Sequence, residues 1–339
     1  MTIPGTSRTT VGTLAVVLLV SVLLAACTDS EGPEPVSGAP STADTAGTTT
    51  IPDIGSRSST SSTSAPDPGS WTPVLVEGVP PVPGDAAELA DRLAAVEGFL
   101  VGEPTSPDSA LAAGHEQQVL LRELGRHPDW RDQVLSARPD ARDRIIRTIE
   151  AGRTGATTLP PPLTEIPAWT IRDPAPVAEL VGYYEEAERD TGIPWQYLAA
   201  INLVETRMGR IVGDSSAGAQ GPMQFLPSTW EAYGNGGDIT DDHDAIAAAA
   251  RFLADHGGPT DMEAAVHAYN HSDAYVSAVV SYAKVMATDP WTVTAFHGWR
   301  VYVSTVEGTL WIPSGYSSDE PVPVAEFLRR RPSLLSGDR

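Results

Sequence analysis

Apolar residues recur every three or four positions along much of this chain, and this spacing predicts helices. The first such stretch, 84–156, includes AAELADRLAAVEGFL and HEQQVLLRELGRH. Pro128 and Pro139 separate shorter helices, because proline lacks the backbone donor that a helix interior needs. Gly152 is predicted to close the last helix, in ARDRIIRTIEAG. The stretch is therefore a helical region of several short elements.

The region 84–156 carries no chemical motif, so its role stays open at this point. We predict that His115, His127 and the acids between them lie on solvated faces. A proline-rich connector at 157–169, TTLPPPLTEIPAW, follows the region. It separates the first helical region from the second.

The second region, 170–316, is also predicted to be mainly helical. Residues 190–194 (DTGIP) combine a closing glycine with a proline that restarts a helix. VYVSTVEGTLWIP at 301–313 reads as two short strands around Glu307 and Gly308. The predicted helices are Val177–Thr191, Trp195–Met208, Pro227–Tyr233, His243–His256, Asp261–Asn270 and Ser272–Ala287. The fold class is therefore mainly α with a small C-terminal β-hairpin, and residues 317–339 form a tail that we expect to be poorly ordered.

Residues 1–27 have the pattern of a signal peptide. Arg8 precedes an apolar run that extends from Val11 to Ala26, shorter than the roughly 20 apolar residues of a membrane span. The run ends in LAAC, which resembles the bacterial lipobox, and Cys27 is the only cysteine in the chain. A plain secretory signal is the alternative. The lipobox resemblance implies that Cys27 is lipidated and anchors the mature protein to the extracytoplasmic side of the bacterial cell membrane.

Residues 28–70 are predicted to be a disordered linker. They contain 18 Ser or Thr residues and no aromatic residue, so they cannot bury enough apolar area to offset the cost of ordering. A flexible coil of this length spans roughly 35–40 Å on average. An anchored domain could therefore work at some distance from a membrane.

Charge and cysteine content exclude several classes of function. The net charge is −22, from 44 acidic and 22 basic residues, whereas a nucleic-acid-binding protein usually shows a basic face. The same charge argues against adhesion to anionic lipid by electrostatics alone. A single cysteine rules out a disulfide framework and a cysteine-based zinc cluster.

Glu205 breaks the pattern of its own helix. In AAINLVETRMGR (199–210) a helical projection places Glu205 between Leu198 and Ile201, with Met208 beside it. No Lys or Arg lies three or four residues away, so no intrahelical ion pair accounts for a carboxylate on this face. The placement indicates either a structural buried carboxyl group or a chemically active one.

Three chemistries are worth weighing. GDSSAG at 213–218 and the histidine at 256 superficially resemble parts of a serine hydrolase, but no strand precedes the serines and the surroundings are helical. His267 and His271 are four residues apart, as in a metal site, but HAYNH is not HExxH and no third ligand is evident. Acid–base glycoside chemistry needs a carboxyl group that stays protonated, and burial of Glu205 would raise its pKa. Glu205 alone does not decide between these chemistries and a structural role.

The order of the following motifs carries a resemblance to a family. After the ET pair come GDSSAGAQG (213–221), PMQF (222–225), PSTW, DAI (244–246) and AYN (268–270). This order resembles the soluble and membrane-bound lytic transglycosylases of the lysozyme-like superfamily, and is most similar to the membrane-bound type B branch. The resemblance covers about residues 175–287. It implies a lysozyme-like helical domain.

The resemblance also implies which residues form the site. Glu205 matches the catalytic glutamate of the family. The family residues that bind substrate or border the glycan cleft match these positions of this chain: Thr206, Ser216, Gly218, Met223, Gln224, Phe225, Tyr269 and Asn270. Thr206 stands where many members have serine, and for three of the others, Met223, Phe225 and Tyr269, ordinary core packing is the alternative. GNGGDITDDHD (234–244) is shorter than the family's calcium loop and lacks its regular acidic spacing, so we expect neither a bound metal nor a cofactor.

What the resemblance implies about function is cleavage of peptidoglycan glycan strands between N-acetylmuramic acid and N-acetylglucosamine. In the family one glutamate acts as acid and then as base, and the products are 1,6-anhydromuramyl sugars. A water-using muramidase and a non-catalytic, peptidoglycan-binding lipoprotein are the alternatives. The expected partners are glycan strands and, through Cys27, the membrane, but no nucleic acid. A contact between the region 84–156 and cell-wall synthesis or division proteins is a further hypothesis.

Overall fold

The computed structural model describes residues 71–73, 79–102, 104, 106–157 and 162–335. The predicted signal peptide, the lipidation site Cys27 and the linker 28–70 lie outside the described residues. The described part is mainly helical, as the spacing of apolar residues predicts. In that part no helix combines the length and the apolar character that crossing a membrane would need.

Four helices form the first region: α1 (Ala86–Val101), α2 (Pro107–Arg126), α3 (Pro128–Ala137) and α4 (Arg142–Thr157). Asp85 caps α1, because its carboxylate accepts hydrogen bonds of 2.9 Å from two backbone N–H groups of the first turn. Pro128 begins α3, and a 3-10 turn at Pro139–Ala141 separates α3 from α4. The predicted breaks at both prolines are confirmed, but the closure at Gly152 is wrong, since α4 continues to Thr157.

Seven helices form the second region: α5 (Val177–Thr191), α6 (Trp195–Thr206), α7 (Pro227–Tyr233), α8 (Asp242–Asp255), α9 (Met262–Tyr269), α10 (Asp273–Thr288) and α11 (Thr292–His297). Gly192 ends α5 with a left-handed φ of 76°, a conformation that glycine adopts without strain. The six predicted helices are confirmed within two residues at each end. The sequence interpretation missed α11.

In the described residues six short strands form three antiparallel pairs. These are β1 (Glu165–Ile166) with β6 (Val322–Pro323), β2 (Thr170–Ile171) with β3 (Ile211–Val212), and β4 (Val301–Thr305) with β5 (Gly308–Ile312). The last pair is the predicted hairpin, with Val301 opposite Ile312. Gly308 follows the turn with a φ of 111°.

Residues 317–335 form regular elements, contrary to the prediction that 317–339 is a poorly ordered tail. Strand β6 pairs with β1, helix α12 (Val324–Arg330) follows, and a 3-10 turn covers Pro332–Leu334. The Phe327 ring lies edge-on to Tyr316, with the ring centroids 5.7 Å apart. Apolar side chains of this segment join the core beneath the hairpin, which is why it folds although it looks polar in sequence.

One hydrophobic cluster runs through both helical regions. It joins side chains of α1–α4 to those of α5–α11, and α10 packs against both α4 and α6. Helix α2 and the end of α11 come very close, because Gly114 meets Gly298 and a Cβ on Gly114 would overlap the Ala295 carbonyl. The first region therefore packs on α10, the helix that also contacts α6.

His115 corrects a prediction about the first region. It is buried rather than solvated, and its Nε2 lies 2.7 Å from the hydroxyl of Tyr302 in the hairpin. Burial lowers the pKa of His115 to about 3, with further lowering by Arg300 and other nearby guanidinium groups. His127 is half-exposed and contacts Glu123 at 3.0 Å. His115 therefore serves as a neutral structural contact between α2 and the hairpin.

Candidate active site

Glu205 lies in the last turn of α6, a helix that is buried from Leu198 to Leu203. The helix ends because three successive residues adopt left-handed backbone angles, with φ of 56° at Arg207, 59° at Met208 and 83° at Gly209. Such angles are costly for residues other than glycine, so the surrounding contacts must maintain them. This turn is why the helix stops at Thr206 rather than continuing as predicted.

Thr206 holds the left-handed turn in place. Its hydroxyl donates to the Pro222 carbonyl at 2.6 Å and accepts from the Gly209 N–H at 3.0 Å. Asn202 donates to the same carbonyl at 2.9 Å, and the Tyr184 hydroxyl donates to Asn202 at 2.6 Å. These contacts attach the end of α6 to the segment 222–225, which begins the cleft wall.

Glu205 is partly buried, and the Tyr275 hydroxyl donates to its Oε1 at 2.7 Å. Burial raises the pKa of Glu205 to about 7, and the hydrogen bond from Tyr275 opposes that increase. Among the described residues Glu205 has no ion-pair partner. The group therefore changes its charge near neutral pH.

Tyr275→Phe tests this balance. Because the hydrogen bond favours the carboxylate, its removal is expected to raise the pKa of Glu205 further, by roughly one unit. The measurement is a titration of the Glu205 carboxyl carbon by NMR. Tyr183→Phe is the matched control, since that hydroxyl donates to Glu179 at 2.7 Å on an exposed face. An unchanged or lower pKa of Glu205 in Tyr275→Phe would contradict the assignment.

A cleft of about 550 Å³ opens beside Glu205. Segments from α7, α8 and α9 form its walls, and the lining is largely apolar and aromatic. The lining residues are Glu205, Gln224, Phe225, Leu226, Ser228, Thr229, Ala232, Tyr233, Phe252, His256, Ala268, Tyr269 and His271. Among these residues Glu205 is the only carboxylic acid.

Three of the substrate-binding candidates line this cleft together with Glu205. Gln224 has a left-handed φ of 50° and donates from its amide to the Gly221 carbonyl at 2.9 Å. The Phe225 ring lies edge-on to Tyr269, with the centroids 5.7 Å apart. The Tyr269 hydroxyl donates to the Met223 carbonyl at 2.6 Å, so this side chain also fixes the backbone of the cleft segment.

The other candidates lie outside the lining residues. The side chains of Thr206 and Met223 are fully buried, and Asn270 is 3% exposed at the end of α9. Ser216 is exposed in the loop, and Gly218 closes a turn there with a φ of 77°. These five residues are therefore not among the residues that line the cleft.

Sequence reasoning missed Tyr275 and the part of the wall formed by Tyr233, Phe252 and His256. Tyr275 lies 70 positions from Glu205, and the two meet only because α10 packs against α6. No local spacing signals such a contact. A search for aromatic residues at the ends of neighbouring helices could have suggested the wall, but not which rings face the cleft.

The structure does not support a serine hydrolase. The Ser215 hydroxyl accepts from the N–H groups of Ala217 and Ala219, at 3.2 and 3.0 Å. The Nδ1 atom of His256 is hydrogen-bonded to the Phe252 carbonyl oxygen. In the described residues no serine is hydrogen-bonded to a histidine.

Among the residues it describes, the structure places no third metal ligand beside His267 and His271. The rings of His267 and His271 are 5.4 Å apart, and the nearest carboxylate oxygen, on the exposed Asp273, is 3.9 Å from His267. Within the described ranges, the one group of three or more side chains able to hold a metal is Asp241, His243 and Asp244, at the start of α8. Exposed acidic groups of this kind are common without a bound ion.

Comparison with protein-family models finds a match to the family described as "Transglycosylase SLT domain" over residues 182–291, roughly a third of the chain. The matched span includes Glu205, Tyr275 and every residue that lines the cleft. It leaves out the first helical region and the hairpin. Comparisons with curated proteins and with solved structures find no match. The match supports a lytic-transglycosylase or lysozyme-like assignment for this span, with peptidoglycan as the general substrate.

Proposed function

We propose that this protein, whose residues 182–291 match the SLT transglycosylase domain, cleaves the β-1,4 bond between N-acetylmuramic acid and N-acetylglucosamine with Glu205 as the catalytic group. The observation that carries this proposal is the environment of Glu205. It is a carboxyl group with a pKa near 7, in an aromatic-lined cleft whose lining holds no other carboxylic acid. The order of the motifs PMQF, DAI and AYN favours the membrane-bound type B branch.

The first step requires an acid. A glycosidic oxygen is a poor leaving group, so it must gain a proton as the bond to the anomeric carbon breaks. Protonated Glu205 gives its proton to that oxygen and becomes a carboxylate. Burial is what leaves a useful fraction of Glu205 protonated at neutral pH.

The second step requires a base, and the same residue supplies it. Two-carboxylate glycosidases place a second acid across the scissile bond, and the described cleft lining offers none. In the proposed route the muramyl 2-acetamido oxygen bonds to the anomeric carbon as the glycosidic bond breaks, and this bond breaks in turn when the 6-hydroxyl oxygen attacks that carbon. The Glu205 carboxylate then takes the proton of the muramyl 6-hydroxyl, whose oxygen bonds to the anomeric carbon. This closes a 1,6-anhydro ring, consumes no water and regenerates protonated Glu205.

Product analysis tests the proposal. Purified peptidoglycan digested with the protein is expected to yield anhydromuramyl ends, which mass spectrometry separates from reducing ends by the mass of one water. Reducing ends alone would identify a water-using muramidase and overturn the second step. Glycan binding without any cleavage would identify a non-catalytic binder and overturn the proposal as a whole.

We also propose that the protein is a lipoprotein, tied to the extracytoplasmic side of a bacterial membrane through Cys27. The support is the LAAC sequence at the end of an apolar run and the absence of any other cysteine from the chain. The linker 28–70 would let the cleft reach glycan strands away from the membrane. Metabolic labelling with a radioactive fatty acid tests this proposal. The wild-type protein is expected to take up the label and Cys27→Ala is expected not to. Contacts of region 84–156 with wall-synthesis or division proteins stay a hypothesis.

A further inference from the structure

Four aromatic rings form a continuous wall of the cleft, which we call the aromatic wall: Tyr233, Phe252, His256 and Tyr269. Phe252 is its centre. The His256 ring stacks on Phe252 with the centroids 4.0 Å apart, and Tyr233 and Tyr269 meet Phe252 edge-on at 5.1 and 5.3 Å. Flat rings of this kind suit the apolar faces of sugar rings.

The hydroxyl groups of the aromatic wall are already used within the protein. The Tyr233 hydroxyl donates to Asp255 at 2.7 Å. The Tyr269 hydroxyl donates to the Met223 carbonyl at 2.6 Å. Neither hydroxyl can donate to a ligand unless it first gives up its hydrogen bond within the protein. The remaining polar group of the wall is the imidazole of His256.

The hydrogen bonds of His256 fix which ring nitrogen faces a ligand. Its Nδ1 lies 2.7 Å from the Phe252 carbonyl oxygen. A carbonyl oxygen only accepts, so Nδ1 must carry the proton. In the neutral imidazole Nε2 is then an acceptor. In the described part of the chain Nε2 has no partner, while stacking on Phe252 and the Nδ1 bond hold the ring in one orientation.

We propose that His256 is a sugar-binding residue whose Nε2 accepts a hydrogen bond from an O–H or N–H group of the amino-sugar chain in the cleft. The inference rests on the proposed function for its choice of ligand. Its own evidence is different, namely a preoriented ring with a free acceptor on a wall whose other polar groups are occupied. Preorganisation matters because a ring that is already held in place loses little entropy on binding.

The test measures binding in a background that cannot turn over. The probe is a peptide-free tetrasaccharide of alternating N-acetylglucosamine and N-acetylmuramic acid, titrated calorimetrically into Glu205→Gln. His256→Phe in that background keeps a flat ring but removes Nε2, and we expect Kd to rise roughly tenfold, as for the loss of one ligand hydrogen bond. His256→Gln returns an acceptor oxygen on a side chain of similar reach and is expected to recover part of the affinity.

His243→Phe is the matched control. This histidine is also half-exposed and lies on α8, but it contacts Glu186 and is not a lining residue of the cleft. In the Glu205→Gln background, His243→Phe should leave the Kd for the tetrasaccharide unchanged. An unchanged Kd in both His256→Phe and His256→Ala, with melting temperatures showing folded protein, would overturn the inference. Failure of the wild type to cleave peptidoglycan, together with a weakened Kd in His256→Phe, would overturn the proposed function but not the role of His256.

Discussion

Glu205→Gln is expected to reduce cleavage of peptidoglycan by about 10³-fold or more. Gln has nearly the same shape and can still accept from the Tyr275 hydroxyl, but it can neither give a proton to the glycosidic oxygen nor remove one from the 6-hydroxyl. Loss of a general acid alone typically costs 10²–10⁴ in rate, and here one residue serves both steps. Release of soluble fragments from purified sacculi, compared with the wild type at equal protein, gives the number.

The pH dependence of unfolding is the control that shows whether Glu205→Gln is folded. Because the pKa of Glu205 is raised in the folded state to about 7, the protonated group stabilises the fold fully below its unfolded pKa, and this is lost as pH rises through 7. Gln stays neutral, so the variant should be more stable than the wild type at pH 8, by up to about 3 kcal/mol, and nearly equal at pH 4. Substantial cleavage by a folded Gln variant would refute the assignment.

Thr206→Val is expected to destabilise the fold by about 2–4 kcal/mol without raising KM. Valine matches the shape of threonine but removes the hydroxyl, which leaves the Gly209 N–H without its partner and removes one of two hydrogen bonds to the Pro222 carbonyl. A buried donor that loses its partner costs about 1–3 kcal/mol. Denaturant unfolding at neutral pH measures the change.

Thr206→Ser is the control for that prediction. It keeps the oxygen that bonds Pro222 and Gly209, so most of the stability should return. The resemblance to lytic transglycosylases implies substrate binding by Thr206, whereas the structure places its side chain 1% exposed and outside the cleft lining. A KM that rises in Thr206→Val while stability stays constant would favour direct substrate contact.

Local patterns in the sequence predicted most of the helices of the second region. The end of α5 follows from DTGIP and the start of α7 from Pro227, since glycine and proline act on the backbone within a few residues. The end of α6 was placed two residues too late. Arg207 and Met208 are ordinary helix-compatible residues, and it is the contacts of Thr206 that hold them in left-handed angles.

The candidate site divides in the same way. Glu205 stood out in the sequence because a carboxylate on an apolar helix face is unusual in any fold. The motif order then predicted that Gln224, Phe225 and Tyr269 belong to the same site. His115 looked solvated because nothing in its own helix shows that a hairpin almost 190 residues away covers it. The segment that forms α12 looked like a tail because it is short, yet Val324 and Phe327 are buried in the cluster that also holds the side chains of the hairpin.

The sequence by itself determined the helical character of the chain and the oddity of Glu205, because both depend on residues within one or two turns of each other. Only the tertiary structure decided the pKa of Glu205, its bond with Tyr275 and the aromatic wall around His256. Desolvation and hydrogen bonding depend on which surfaces meet in space. Here they meet through the packing of α10 on α6 and of α8 beside α9.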